Sequence, residues 1–525
     1  MVKQTVIGKD ASSLAPLDSP TFTGVPAAPT AAVGTNTTRL ATTAFVKNAT
    51  DNLWLETAIG VKWKSDATSP ALTQIDELGN TIALTATEWL QHRIFGRLCR
   101  CTLDSTTGAV KHYYGDPAVS LSDFYDGTDG QVMVEVPKFW YKVSVSGVYF
   151  NWWVSPSARP GYKIHPMFFY GSGLTDAKES GTATSGAATT ISNSNSAEPW
   201  TASELVGMYI YIVAGTGIGQ QRVILSNTTT AITVDLWVTN PDNTSKYEIS
   251  RLKNYVYISA FEGSFAADPY KLQSIANVAP GVSQTLTVFR TRAQLRNADP
   301  TARAADGQGW QLLDENTRNG FNLLCTIRDA TLNSQATYLG VTDAGNTAAV
   351  KTGFTSAINV GTGYVDLGNA SGEATEQGTA AKRSFSRFGV ENWFGNIWKW
   401  VDGIHVAARR QYIASHGYHD TTGAPFTAHP YIDTTLVGGT VDGFQISVLD
   451  PTATAFDTLM VPNSVSGGSD STYLCDYYYS TADVDRAPLF GGAWANAGLA
   501  GGFYVYALSP ASISLVTIGG RLVFK

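Results

Sequence analysis

Charge is scarce in this chain. Asp, Glu, Lys and Arg make up only 15% of its 525 residues, and 36 basic side chains face 43 acidic ones. A net charge of −7 leaves no basic footprint for a phosphate backbone, which excludes nucleic acid as the expected partner. Cysteine is scarcer still. Cys99, Cys101, Cys325 and Cys475 are too few and too scattered for a disulfide framework, and Cys99 and Cys101 lack C-x-x-C spacing. Buried free thiols are expected instead. No apolar run reaches membrane-spanning length, so no membrane insertion is expected, and the opening MVKQTVIGKD lacks the apolar core of a signal peptide. These gaps predict synthesis in a cytoplasm and, for work outside the cell, exit by a route other than secretion, such as lysis.

The signatures of chemistry are also missing. There is no G-x-S-x-G elbow and no persuasive carboxylate pair. Gly215-Thr-Gly217-Ile-Gly219 has the wrong spacing for a dinucleotide fingerprint and reads as a turn. Asp126-Gly-Thr-Asp129-Gly lacks the further oxygen donors of a calcium loop and also reads as a turn. His405, His416, His419 and His429 form the one histidine cluster. His416-x-x-His419 with Asp420 is a conceivable metal site, but it lacks the acid of H-E-x-x-H and lies in a Gly/Thr-rich loop, so solvated histidines are expected. The expectation is no enzyme, no cofactor and no metal.

What is abundant is glycine, at 50 residues, and aromatic side chains, at 11%. Few charges with much Gly, Tyr and Trp suit a turn-rich, mostly β protein with some α that meets partners through neutral polar and aromatic surface. Residues 1–40 are rich in Ala, Thr, Pro and Gly and read as extended. Apolar residues at 41, 45, 49 and 53 then make one narrow helical stripe, too short to stand alone but plausible where several chains pack together.

Strand-like runs follow. Val132 to Val143 reads as a strand pair, with Pro137 at an edge or bend, and the cluster Trp140, Trp152 and Trp153 reads as core. The tract 180–198 reads as a linker. Strands are expected over 206–213, 220–225 and 230–237, ending at Tyr247–Ile249, so 172–250 reads as a small inserted β module. Tyr255–Ser259 and Leu286–Arg290 read as strands, and Asn316–Ala330 as the best helix. Gly353–Gly378 reads as loop. In the block 387–403, Trp393, Ile397 and Trp400 share a face, which reads as an aromatic plug in the core.

The last stretch, Leu489–Lys525, organises the rest. Phe503, Val505 and Ala507 alternate with Tyr504, Tyr506 and Leu508, and Ile518–Phe524 reads as a closing buried strand. This predicts a final hairpin whose outward face meets a partner, although the same pattern fits the last hairpin of any β-rich domain. Tyr and small polar residues on a rigid frame give adaptable recognition. The candidate receptor-binding residues are Trp494, Asn496, Leu499, Tyr504, Tyr506, Ser512 and Ser514.

Two resemblances sharpen this. Leu17-Asp-Ser-Pro-Thr-Phe-Thr-Gly24 with Thr35–Val46 resembles the repeat of bacteriophage tail-fibre and side-tail-fibre proteins, which implies a fibrous, trimeric attachment segment over 1–58. Gly395-Asn-Ile-Trp-Lys-Trp400, Gly491-Gly-Ala-Trp494 and Gly519-Gly-Arg521 resemble the C-type-lectin-like fold of phage receptor-binding proteins, retroelement-diversified tropism determinants among them. That implies a receptor-binding region over 59–171 and 251–525, with Trp494 possible core. The same skeleton occurs in formylglycine-generating enzymes, whose chemistry needs a cysteine pair late in the domain; only Cys475 is there. The calcium-lectin sugar signatures are absent, and Glu198-Pro-Trp200 lies in the insert. The expectation is therefore a homotrimeric virion tail-fibre or tail-tip protein, joined to tail or baseplate proteins through its N-terminus. It would bind a host surface protein or glycan non-covalently. The alternatives are a tail-associated polysaccharide-degrading enzyme and a structural fibre or baseplate subunit.

Overall fold

The computed structural model describes residues 56–298, 308–343, 345, 347–358, 371–414, 431–482 and 486–525. The shaft-like motif, its short helix, and His416, His419, Asp420 and His429 lie outside them. Two compact units divide the chain at Leu55/Glu56, and the described residues belong to the second.

The described chain is mostly β-sheet with few helices. One antiparallel sheet runs in the order Trp310–Leu312, Leu522–Phe524, Tyr255–Ser259, Gln131–Pro137, Cys99–Leu103, Val110–Tyr113. The closing strand therefore does sit inside a sheet, with Leu522 and Val523 fully buried. A second sheet carries Thr73–Asp76, Ile59–Lys64, Tyr149–Ser155, Trp140–Ser146 and Lys163–Ile164. Its core face stacks Trp63 on Trp152, and Trp153 is buried too. The expected strands on either side of Pro137 exist, but they do not pair. Pro137 ends one strand, and the chain passes into the other sheet before Trp140. A proline has no N–H to continue the ladder.

Three further expectations fail. Leu286–Gln294 is a helix, not a strand: Thr285 caps it by accepting the Val288 N–H, and Leu286, Phe289, Arg290 and Ala293 bury one helical face. The supposed linker contains the strands Ser180–Thr182, Ser185–Ala187 and Thr190–Ser192. Only Ala183 and Ile191 in that tract fill core, so apolar alternation was too thin to read. The Asp126-Gly127 turn is there, as the left-handed C-cap of a helix, Leu121–Asp126. Most consequentially, the terminal stretch is not a hairpin. Val505–Tyr506, Ile518–Gly519 and Leu522–Phe524 never pair with one another, and the last belongs to a different sheet. Gly519 and Gly520 allow that crossing, since a Cβ on Gly519 would lie 2.4 Å from Ile397 and 2.6 Å from a backbone oxygen.

The long helix holds to within a residue, as Glu315–Asp329, with Asp314 accepting the Thr317 N–H as N-cap. Residues 209–249 form the expected strands, as Tyr209–Ala214, Gln221–Asn227, Ala231–Val234 and Lys246–Leu252. They bury a separate core around Trp200, Ile210, Ile212, Trp237 and Tyr247. Gly215, Gly217 and Gly219 all have positive φ, as a turn requires. The four cysteines are free thiols.

The aromatic plug is core: Trp393, Ile397 and Trp400 are all buried. Around it the glycine-rich motifs converge on a buried polar network. The Lys399 ammonium lies 3.0 Å from Glu262, with both side chains fully buried, and donates to the Gly395 carbonyl at 2.6 Å. Asn396 donates to the other Glu262 oxygen. Arg521 donates to the carbonyls of Ser259 (3.1 Å), Asn392 (2.8 Å) and Glu391. Burial pulls the Lys399 ammonium down to about 8, against the opposing pull of Glu262. Buried charge is tolerable only where it is paired and hydrogen-bonded, which is why these motif residues occur together.

Candidate functional site

A third sheet runs in the order Gly443–Phe444, Tyr477–Tyr479, Val505–Tyr506, Leu489–Phe490, Trp398–Trp400, Ile518–Gly519. Gly443 pairs with Tyr478, and Phe444 with Tyr477; in the neighbouring parallel pair, Tyr479 faces Tyr506. Alternation then puts Phe444, Tyr477, Tyr479 and Tyr506 on one face and Tyr478 on the other. Tyr478 is buried, while the other four are half-buried.

These rings form a continuous row. Phe444 and Tyr477 are 5.2 Å apart, Tyr477 and Tyr479 4.8 Å, and Tyr479 and Tyr506 4.9 Å; Trp398 follows 5.6 Å from Tyr506. Tyr504 lies beneath, 4.5 Å from Trp398 and 6.3 Å from Tyr477. Such tilted contacts hold large amphipathic side chains at little entropy cost, which suits recognition. The Tyr504 ring lies 6.2 Å from that of Tyr479. Burial, then Tyr479 and Asp442, hold the Tyr477 and Tyr506 phenols above their ordinary value, so both are neutral at pH 7.

The row is braced from behind by Asp476. One of its carboxylate oxygens accepts the Phe503 N–H at 2.7 Å and the Ser334 hydroxyl at 2.8 Å. A Cβ on Gly501 would lie 2.1 Å from both carboxylate oxygens, so only glycine admits this approach. Gln445 spans the same loop, donating to the Phe503 carbonyl at 2.8 Å.

The expected site residues divide. Tyr506 is in the row. Tyr504 is 1% exposed and cannot be the outward contact expected of it, because its neighbours roof it over. Trp494 is likewise core, 8% exposed, with its backbone N–H donating to the Asn396 carbonyl. Asn496 is half-buried and folds back to accept the Ala493 N–H at 2.6 Å. Leu499 is half-buried and packs on the core. Ser512 and Ser514 are exposed on the segment before Ile518, beside exposed Leu515 and Val516. Phe444, Tyr477 and Tyr479 were missed as a surface. Asp476-Tyr-Tyr-Tyr479 carries the signal, but three adjacent tyrosines do not show which two face out until the register is known.

Other groupings carry less. Thr102 and His112 both bond Asp129, so the hydroxyl is spent on the acid and no nucleophile is activated. His405 is buried against Tyr431. Among the described residues no three or more His, Cys, Asp or Glu side chains are grouped to hold a metal, and no helix is long and apolar enough to cross a membrane.

No family model and no curated protein matches the chain. Among solved structures, the chain is similar to the M1 variant of Major Tropism Determinant at 13% identity, covering 88% of this chain and 84% of that one, with a TM-score of 0.23. The I1 variant is similar at 12% identity, covering 90% and 87%, with a TM-score of 0.22. Likeness at that level carries no functional argument, so the aromatic row must.

Proposed function

We propose that this chain is a bacteriophage receptor-binding protein that adheres to a host surface molecule non-covalently through the row Phe444, Tyr477, Tyr479 and Tyr506. In this reading residues 1–58 form the attachment segment of a homotrimer on the virion tail. Residues 59–171 and 251–525 form a C-type-lectin-like region, and 172–250 is an inserted module. One observation carries the proposal: a continuous row of half-buried aromatic rings stands on a sheet that also carries a buried ion pair. Aromatic side chains of this kind dominate binding hot spots. Three copies on one fibre would add avidity, turning weak contacts into firm attachment.

The test replaces Tyr477 and Tyr506 together by alanine and measures adsorption of the full-length protein to cells of a susceptible strain. Adsorption should fall at least about tenfold, as hot-spot truncation does, with the far-ultraviolet circular dichroism unchanged. Undiminished adsorption by the folded variant removes the row from the site. Shortened chains after incubation with host polysaccharide would instead favour an enzyme.

A further inference from the structure

A carboxylate stands at one edge of the aromatic row. Asp442 immediately precedes the edge strand Gly443–Phe444, in which Gly443 pairs with Tyr478 and Phe444 with Tyr477. The Asp442 side chain accepts the Ser480 N–H at 2.8 Å through Oδ1, which fixes its position. It is exposed, and among the described residues it enters no ion pair. Its field reaches the Tyr477 and Tyr506 hydroxyl ends.

Ring faces, phenolic oxygens and a carboxylate share one preference: each attracts a cation. Three cationic shapes are possible. An ammonium is a compact, strongly hydrated charge, and a quaternary ammonium wants an enclosing cage. The row is a line of partly exposed rings, 4.8 to 5.2 Å apart and inclined to one another by 46 to 78°, with the carboxylate at one edge. A flat guanidinium can stack on one such ring while its edge donates to the free Asp442 oxygen.

Resting on the adhesin reading, we infer that the row and Asp442 together recognise an arginine side chain on a protein at the host surface. Lysine, choline headgroups and neutral glycans are disfavoured. The chain's own negative balance, 43 acidic against 36 basic side chains, acts in the same direction by attracting a basic patch.

The test titrates the full-length protein with blocked tripeptides Gly-Arg-Gly, Gly-Lys-Gly and Gly-Gln-Gly and with phosphocholine, following tyrosine fluorescence. The arginine peptide should bind best, the glutamine peptide should not bind, and Asp442→Asn should weaken the arginine peptide about tenfold, the scale of a lost charge-assisted contact. Asp442→Lys should abolish it. Equal response to arginine and glutamine, preference for lysine or phosphocholine, no response to any probe, or indifference to Asp442→Asn would each overturn the inference. The adhesin reading fails separately. It depends on cell adsorption by the Tyr477/Tyr506 double variant, which these peptides do not touch.

Discussion

Asp476 offers the sharpest test of how the tyrosine row is held. Its carboxyl is buried, and desolvation pushes it from 3.8 to about 8, although Phe503 and Ser334 donate to it. The native state therefore holds a proton that the unfolded chain releases near pH 4. The sign follows. Asp476 favours the fold fully below the unfolded value, and that contribution is lost as pH rises from about 4 to about 8. At roughly 1.4 kcal/mol per pH unit, the ionised carboxylate would cost on the order of 5 kcal/mol above pH 8. Asn at this position keeps an oxygen for both donors and carries no charge. The Tm of Asp476→Asn should fall less than that of the parent between pH 5 and about pH 8.5, and the variant should be the more stable at the alkaline end. Parallel Tm profiles for the two proteins, or a variant less stable at every pH, would refute the account.

Two further outcomes are expected. Lys399→Met leaves Glu262 buried without its cation and should cost about 3–5 kcal/mol in urea unfolding. Adding Glu262→Gln to it should restore part of that loss, and a double variant no better than the single one would contradict the pairing. Tyr504→Ala should cost about 3–5 kcal/mol, as emptying a buried aromatic site does. Tyr504→Phe should leave adsorption unchanged, because the ring under the row is structural; lost adsorption in a stable Tyr504→Phe would make that hydroxyl a contact.

Sequence pattern was most legible where one period dominates. Residues 316–330 show helical spacing beside a capping Asp314, and the helix Glu315–Asp329 is there. Residues 286–290 misled, because Thr, Val and Phe are residue types that favour strands. Their character came from the Thr285 cap and from Arg290 reaching buried Asp402 at 2.6 Å, a partner 112 residues away. The candidate site was half legible. Tyr506 was found through alternation, but Tyr504 was assigned to the same face. Tyr504 does pack against the rings of the row, but Trp398, Tyr477 and Tyr479 cover it, and local alternation cannot show such covering.

Composition and local motif by themselves determined a mostly β chain with free thiols, a buried closing strand, and glycine-rich motifs committed to the core. Each depends on residue type or on neighbours close along the chain. Tertiary structure alone decided which tyrosines stand together. Phe444, Tyr477, Tyr506 and Trp398 come from four separate strands, joined by parallel and antiparallel pairings that no local pattern specifies. A one-residue slip in any of those registers would turn the rings to the opposite face, so the surface exists only once the sheet has closed.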